Sequence, residues 1–171
     1  QVTKANNQET VFDPIEYTVD DKTALKTALA IPIRFEGEIV GVVGVDIPLR
    51  SFEPIVKRVK LYEIGYGFLI ANNGVFAAHP TKWSNVGKHM DFFNFEPEVV
   101  QAVTQGKEAA QYKVSKTTGK KTYYTFAPIT IGKAAKKWSL ATNIPTDKIL
   151  EGARRIMWRS AIIGLIALLV L

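Results

Sequence analysis

Two stretches of this chain end in the same way. LAIPI at residues 29–33 is echoed by FAPI at 126–129, and GVDIP at 44–48 is echoed by ATNIP at 141–145. Pro32 and Pro48 lie 16 positions apart, and Pro128 and Pro145 lie 17 apart. In both cases an apolar run closes on an Ile-Pro step and helix-forming sequence follows. Proline is tolerated in a first helical turn, where its missing N–H has no intrahelical partner. Two copies of one ending imply two copies of one module. The second copy spans roughly 62–145 and is complete. The first is expected to keep only its last two strands, with the rest lying before Gln1.

The intervening sequence fits that division. Residues 1–23 read as polar and irregular, with VFDPIEY as the one apolar cluster. Ala24–Ile33 and Ile39–Ile47 read as strands joined at Gly37, a hairpin. From Pro48, the residues Leu49, Phe52, Ile55, Val56 and Val59 recur at helical spacing, which predicts a helix of about 12 residues. Pro54 within it predicts a kink or a later start. Gly65–Ala71 and Val75–His79 flank Asn72-Asn73-Gly74, a strong hairpin signal. Thr81–Asp91 reads as a loop and Pro97–Gln105 as a short helix with Gly106 after its end. Glu108–Lys116, Lys121–Ile129 and Trp138–Ile144 read as strands. The order predicts a PAS-like module, one sheet with helices on one face.

The last 26 residues, Thr146–Leu171, open as an amphipathic helix and run into SAIIGLIALLVL. Ile149, Ala153, Ile156, Ser160, Ile163, Ala167 and Val170 keep heptad spacing across that change. Ser160–Leu171 carries no charge, yet a spanning helix needs roughly 20 apolar residues. The run is expected to be the first half of a transmembrane helix; the alternative is a buried C-terminal core helix. Arg154, Arg155 and Arg159 precede it on the side expected to be outer, against the preference for cytoplasmic positive charge.

The chain has 171 residues, no cysteine and a formal net charge of +6. A disulfide framework and a thiolate metal site are therefore excluded. Lysines gather at 116, 120 and 121 and at 133, 136 and 137, beside turn signals, and read as solvated loop tips. Contact with anionic headgroups is the second reading. No nucleic-acid-binding motif or basic stripe is present. His79 and His89 lack metal-ligand spacing and read as loop or capping residues. Tyr123, Tyr124 and Phe126 read as sheet faces. The absence of G-x-S-x-G, P-loop, paired catalytic carboxylates and H-E-x-x-H argues against an enzyme within these residues.

Taken together, EGEIVGVVGVDIPLRSF, GYGFLIANNGVFAAHP with NVGK, YYTFAPI, and WSLATNIP before an apolar helix resemble the double Cache (dCache) sensor domain. That domain is the extracytoplasmic part of many methyl-accepting chemotaxis receptors, sensor histidine kinases and membrane diguanylate cyclases. The resemblance covers roughly residues 11–171. It implies an α+β fold of tandem PAS-like (Cache) modules with antiparallel sheets, the first truncated, followed by a C-terminal transmembrane helix. The expected divisions are 1–48 for the end of the membrane-distal module, 49–61 for a connecting helix, 62–145 for the membrane-proximal module, and 146–171 for the signalling helix and start of the membrane span. The implied function is ligand sensing in a chemoreceptor, since WSLATNIP–TDKIL looks most like chemoreceptors; a diguanylate cyclase or histidine kinase is the alternative output. The implied setting is the inner membrane, with the modules periplasmic or extracellular. The implied partners are a small molecule (an amino acid or amine), lipid around the C-terminal helix, and a second copy of the chain. No cofactor is implied.

Asp46 is the candidate ligand residue. It is the one acid in IVGVVGVDI, and a carboxylate in a partly closed pocket accepts strong, charge-assisted hydrogen bonds from an ammonium group. Its counterpart in the second module is Asn143. In amino-acid-binding dCache domains an aspartate at this place holds the ligand's amino group, and an aromatic residue some 30 positions earlier lines the same pocket. Tyr17 fits that second role by distance, whereas the local pattern would put Ile15 there. The other reading of Asp46 is a cap on the following helix; the other reading of Tyr17 is packing.

Overall fold

The structure, a computed structural model, describes residues 8–19, 21–61, 64–116, 118–147 and 156–160. The first sheet is built on β3 (Lys22–Phe35), to which β4 (Glu38–Pro48) pairs antiparallel along one side. Strands β1 (Thr10–Val11) and β2 (Ile15–Val19) share the other side of β3. The β3–β4 turn puts Glu36 and Gly37 at φ 50° and 87°, positive values that match the twist of a two-residue hairpin. Two strands thus form where irregular sequence was expected. IEYTV alternates over only five residues beside an acidic turn, too short a signal to separate from a loop. Its pairing with β3 is what makes it a strand.

The connector differs from the single helix expected after Pro48. A 3-10 turn over Leu49–Phe52 is followed by α1 (Glu53–Lys57) and a two-residue strand, β5 (Lys60–Leu61). Pro54 has no N–H to give to the carbonyl of Arg50, which accepts from the N–H of Glu53 instead. The helix therefore restarts at Glu53, with proline in its first turn.

The second sheet runs β5–β6–β10–β9–β8, with β7 on β6. Its strands are β6 (Gly65–Ile70), β7 (Phe76–Ala78), β8 (Ala109–Val114), β9 (Lys121–Ile129) and β10 (Trp138–Pro145). The Asn72-Asn73-Gly74 turn forms as read: Gly74 has φ 79°, and Asn73 Oδ1 accepts from the Val75 N–H at 3.2 Å. On one face Phe68, Ile70, Phe126 and Ala141 pack against Val99 and Val103 of α2 (Pro97–Thr104) and against Phe93 and Phe95. On the other face Leu69, Ala71 and Trp138 meet Leu49 and Val56 of the connector, Val11 of β1, and Leu25 and Leu29 of β3. The sheet is covered on both faces rather than on one, because the connector and first sheet supply the second cover. Phe52 meets Trp138 edge-on, ring centroids 5.6 Å apart. A Cβ on Gly67 would lie 2.7 Å from Val59, so the chain leaving α1 sits directly on β6.

Most of the expected rod, Thr146–Leu171, lies outside the described residues. Within it, 156–160 are helical, with Ile156, Met157 and Trp158 exposed. Among the described residues no helix is long and apolar enough to cross a membrane.

Candidate functional site

Opposed residues of an antiparallel pair project to the same face, and every second residue repeats it. Asp46 stands opposite Ala28, Ile15 opposite Lys26, and Tyr17 opposite Ala24. Register alone therefore puts Ile15, Tyr17, Lys26 and Asp46 on one face of the first sheet. Lys26 Nζ lies 2.5 Å from Asp46 Oδ2 and 5.1 Å from the centroid of the Tyr17 ring. The two residues singled out in the sequence thus meet through a third that was not. Lys26 gives no signal in ALKTALAIPI; its role needs the register of three strands.

The Asp46 side chain is 59% exposed. The following 3-10 turn spans Leu49–Phe52 with Pro48, not Asp46, at its N-cap, and the Asp46 carboxylate is paired with Lys26. Tyr17 provides the ring beneath the Lys26 ammonium; Ile15, on the same face, is exposed. The arrangement is a carboxylate holding a cation over an aromatic face. A ligand's ammonium would find the same two partners once Lys26 swung away.

The second sheet carries a different constellation. Tyr66, Asn143, Tyr124 and Gln111 form one cross-strand row on the α2 face. Asn143 is buried, and its Oδ1 has no hydrogen-bond partner among the described residues. Burial pushes the Tyr124 hydroxyl pKa up, while hydrogen bonds from Ser115 and Asn143 act the other way. Gln111 Oε1 accepts from the Glu96 N–H at 3.2 Å.

Beside this row lies a small cleft with a volume of about 20 Å³, part of it open to solvent. Its walls include Phe68 and Phe76, stacked at 5.1 Å, and its rim carries His79, Lys113 and Lys116. His79 Nδ1 accepts from the N–H groups of Thr81 and Lys82 at 3.3 and 3.1 Å. That nitrogen is unprotonated, so the ring is neutral and Nε2 carries the hydrogen. Burial, reinforced by Lys82, lowers the His79 pKa to about 4. Lys113 Nζ donates to the carbonyl of Phe93 and sits 4.1 Å above the Phe95 ring. Burial first, and Lys116 second, lower the Lys113 pKa to about 8, against the pull of Glu96. Lys116 donates to the carbonyl of Phe92 at 2.6 Å. His89 caps its own turn, its Nδ1 accepting from the Asp91 N–H at 3.3 Å.

No protein-family model matches the chain. Among characterised proteins it is similar to the methyl-accepting chemotaxis protein TlpQ of Pseudomonas aeruginosa. The two are 24% identical over 155 residues, covering 88% of this chain and 21% of TlpQ. Among solved structures it is similar to the extracellular domain of the histidine kinase mmHK1S-Z3. That match has a TM-score of 0.76 at 25% identity and covers 91% of this chain and 55% of that one. It is also similar to the ligand-binding domain of the P. aeruginosa amino-acid chemoreceptor PctB in complex with L-Arg. Here the TM-score is 0.61 at 23% identity, covering 86% of this chain and 58% of that one. The chain thus has the antiparallel, sheet-rich α+β fold of Cache-type sensory domains. It spans about a fifth of its chemoreceptor relative and just over half of each solved domain.

Proposed function

We propose that this chain is the ligand-sensing region of a transmembrane methyl-accepting chemotaxis receptor. Its first sheet belongs to the membrane-distal Cache module and residues 62–145 form the membrane-proximal one. Asp46 and Tyr17 hold the ammonium group of an amino acid or amine. The observation that carries this reading is the Lys26 ammonium seated between the Asp46 carboxylate and the Tyr17 ring. The likeness to PctB, solved with L-Arg, supports an amino acid as the ligand.

Displacing Lys26 would alter the β3–β4 pair. Strand β4 continues through Pro48 into Leu49, Phe52 and Val56, which pack against Trp138 and Leu69. Trp138 opens β10, and β10 ends at Pro145, immediately before the 146–171 segment that we assign to signalling and membrane entry. Each link is a packed contact, and a coupling of about 1–3 kcal/mol is typical for such relays. Membrane insertion of that segment, extracytoplasmic placement of the modules and dimerisation are parts of the same proposal. No catalytic role is assigned to these residues.

A sensor histidine kinase is the second reading, favoured by the likeness to mmHK1S-Z3. It shares the sensing step and differs in output. A thermal-shift screen of the intact sensory region against amino acids, plain amines and carboxylates tests the sensing step. Stabilisation by amine-bearing compounds is expected, and a flat response to all of them contradicts the proposal.

A further inference from the structure

A pocket of about 250 Å³ lies where the β2–β3 hairpin, the connector and the 3-10 turn Trp83–Asn85 of the second module meet. The hairpin rests on the second module there: a Cβ on Gly87 would lie 2.8 Å from Leu25 Cδ1. Leu25, Pro48 and Trp83 give the pocket apolar walls, and Glu16, Tyr17 and Arg50 give it polar groups. Its volume equals roughly eight waters' share of the liquid, enough for a small organic ligand. Junctions between modules are a preferred place for such sites.

Arg50 is the one cation of the pocket. Its guanidinium carbon lies 4.3 Å from the centroid of the Trp83 ring. Stacking on the ring holds the plane of the guanidinium and leaves the N–H groups along its edge to bind an acceptor. Among the described residues Arg50 is in no ion pair, and Glu16, the one acid of the pocket, does not pair with it. Glu53, three residues on, feels the Arg50 charge but is held by Lys57 at 2.6 Å. A planar fork with open donors matches a carboxylate, which accepts two parallel charge-assisted bonds. A phosphate would bring more negative charge than one guanidinium balances. The Glu16 carboxylate accepts a hydrogen bond from a neutral hydroxyl, whereas an ammonium in the same small pocket would lie beside Arg50. Leu25, Pro48 and Trp83 suit a short apolar body.

We infer that this junction binds a small 2-hydroxy monocarboxylate, its carboxylate gripped by Arg50, its hydroxyl donated to Glu16 and its body packed against Leu25, Pro48 and Trp83. Neither Asp46 nor Lys26 lines the pocket, so the inference does not rest on the amine site proposed there. The ligand would touch the first sheet, the connector and the second module at once, and so tie together the parts that relay the distal signal.

Calorimetry of the full chain with 2-hydroxyisovalerate tests this, with 2-hydroxyisovaleramide, isovalerate and L-valine as comparisons. The hydroxy acid should bind the native and the Asp46→Ala proteins alike. The amide should bind about tenfold more weakly, since a hydrogen bond between charged groups is lost. Isovalerate, which lacks the hydroxyl, should bind roughly two- to tenfold more weakly. Arg50→Met, which keeps the aliphatic stem, should weaken binding by about tenfold with an unchanged melting curve. Should Arg50→Met fail to fold, Arg50→Lys, which keeps the charge and loses the fork, replaces it and should also weaken binding. Absence of binding at millimolar 2-hydroxyisovalerate, equal binding of the amide or of isovalerate, tighter binding of L-valine, unchanged affinity in the folded Arg50 variant, or loss in Asp46→Ala would each overturn the inference.

Discussion

Asp46 and Asn143 stand at the same rung of two matching hairpins. Asp46 lies opposite Ala28 in the β3–β4 pair, and Asn143 lies opposite Tyr124 in the β9–β10 pair. The pairs that flank them correspond as well: Thr27–Ile47 matches Tyr123–Ile144, and Pro32–Val42 matches Pro128–Ser139. The sequence echo is thus an echo of register. What differs is the cover. Asn143 is 2% exposed beneath α2 and the loops before it, whereas the Asp46 carboxylate is open and paired with Lys26.

That contrast fixes the outcome of exchanging the two residue types. Asn143→Asp buries a carboxylate beside Tyr124 and should cost at least about 2 kcal/mol at neutral pH. The loss should shrink at low pH as the acid is protonated. Asp46→Asn breaks only an exposed ion pair and should change stability by about 1 kcal/mol or less. Urea unfolding of both variants measures this; equal effects would contradict the difference in cover.

Lys26 competes with any ammonium that approaches Asp46. Lys26→Met should therefore tighten binding of a plain amine. An exposed ion pair is worth about 0.2–1 kcal/mol, so the gain should be up to about fivefold. Titration of the variant with an amine that has no carboxylate measures it. Weaker binding would show Lys26 to be a ligand contact rather than a competitor.

His79 sets an acid limit on stability. Its folded pKa lies near 4, below the usual 6.5. Between those values the unfolded chain binds the proton and the folded chain does not, so stability falls as pH drops from 6.5 towards 4. Integrated over that window, the contribution is on the order of 2–3 kcal/mol. His79→Asn keeps an acceptor for the Thr81 and Lys82 N–H groups but does not titrate there. Its stability should fall less steeply over the same range, as read from melting temperature against pH.

The seat of the connector on β6 is testable through Gly67. An added methyl would meet Val59 at 2.7 Å. Gly67→Ala should cost about 1–3 kcal/mol by overpacking. Val59→Ala removes both γ-methyls and leaves only its Cβ, at 2.8 Å, in the way, so the double variant should be more stable than the sum of the single losses predicts. Additive losses would show that the two do not touch.

The hairpins were legible because their turns carry chemistry. Gly37 and the Asn-Asn-Gly step supply positive φ where the chain reverses, and Lys121–Ile129 has a strong alternating pattern. The two N-terminal strands were not, since their edges are set by β3 rather than by their own pattern. In the connector the later helix start was legible from Pro54, whereas the 3-10 turn before it and the short strand after it were not, since a helical apolar stripe marks neither. Asp46 and Tyr17 could be picked out singly, through family resemblance. Lys26 could not, because its position depends on how three strands align. The donor-lined cleft was equally hidden. His79, Lys113 and Tyr124 lie far apart in the chain, and only the sheet brings them to one rim.

The amine site proposed at Asp46 is tested most directly by calorimetric titration of amine-bearing ligands into the complete sensory region, native and Asp46→Ala. The account predicts measurable affinity in the native protein for at least one amino acid or amine, and its loss in the variant while the melting curve is kept. An affinity unchanged by the substitution would contradict it.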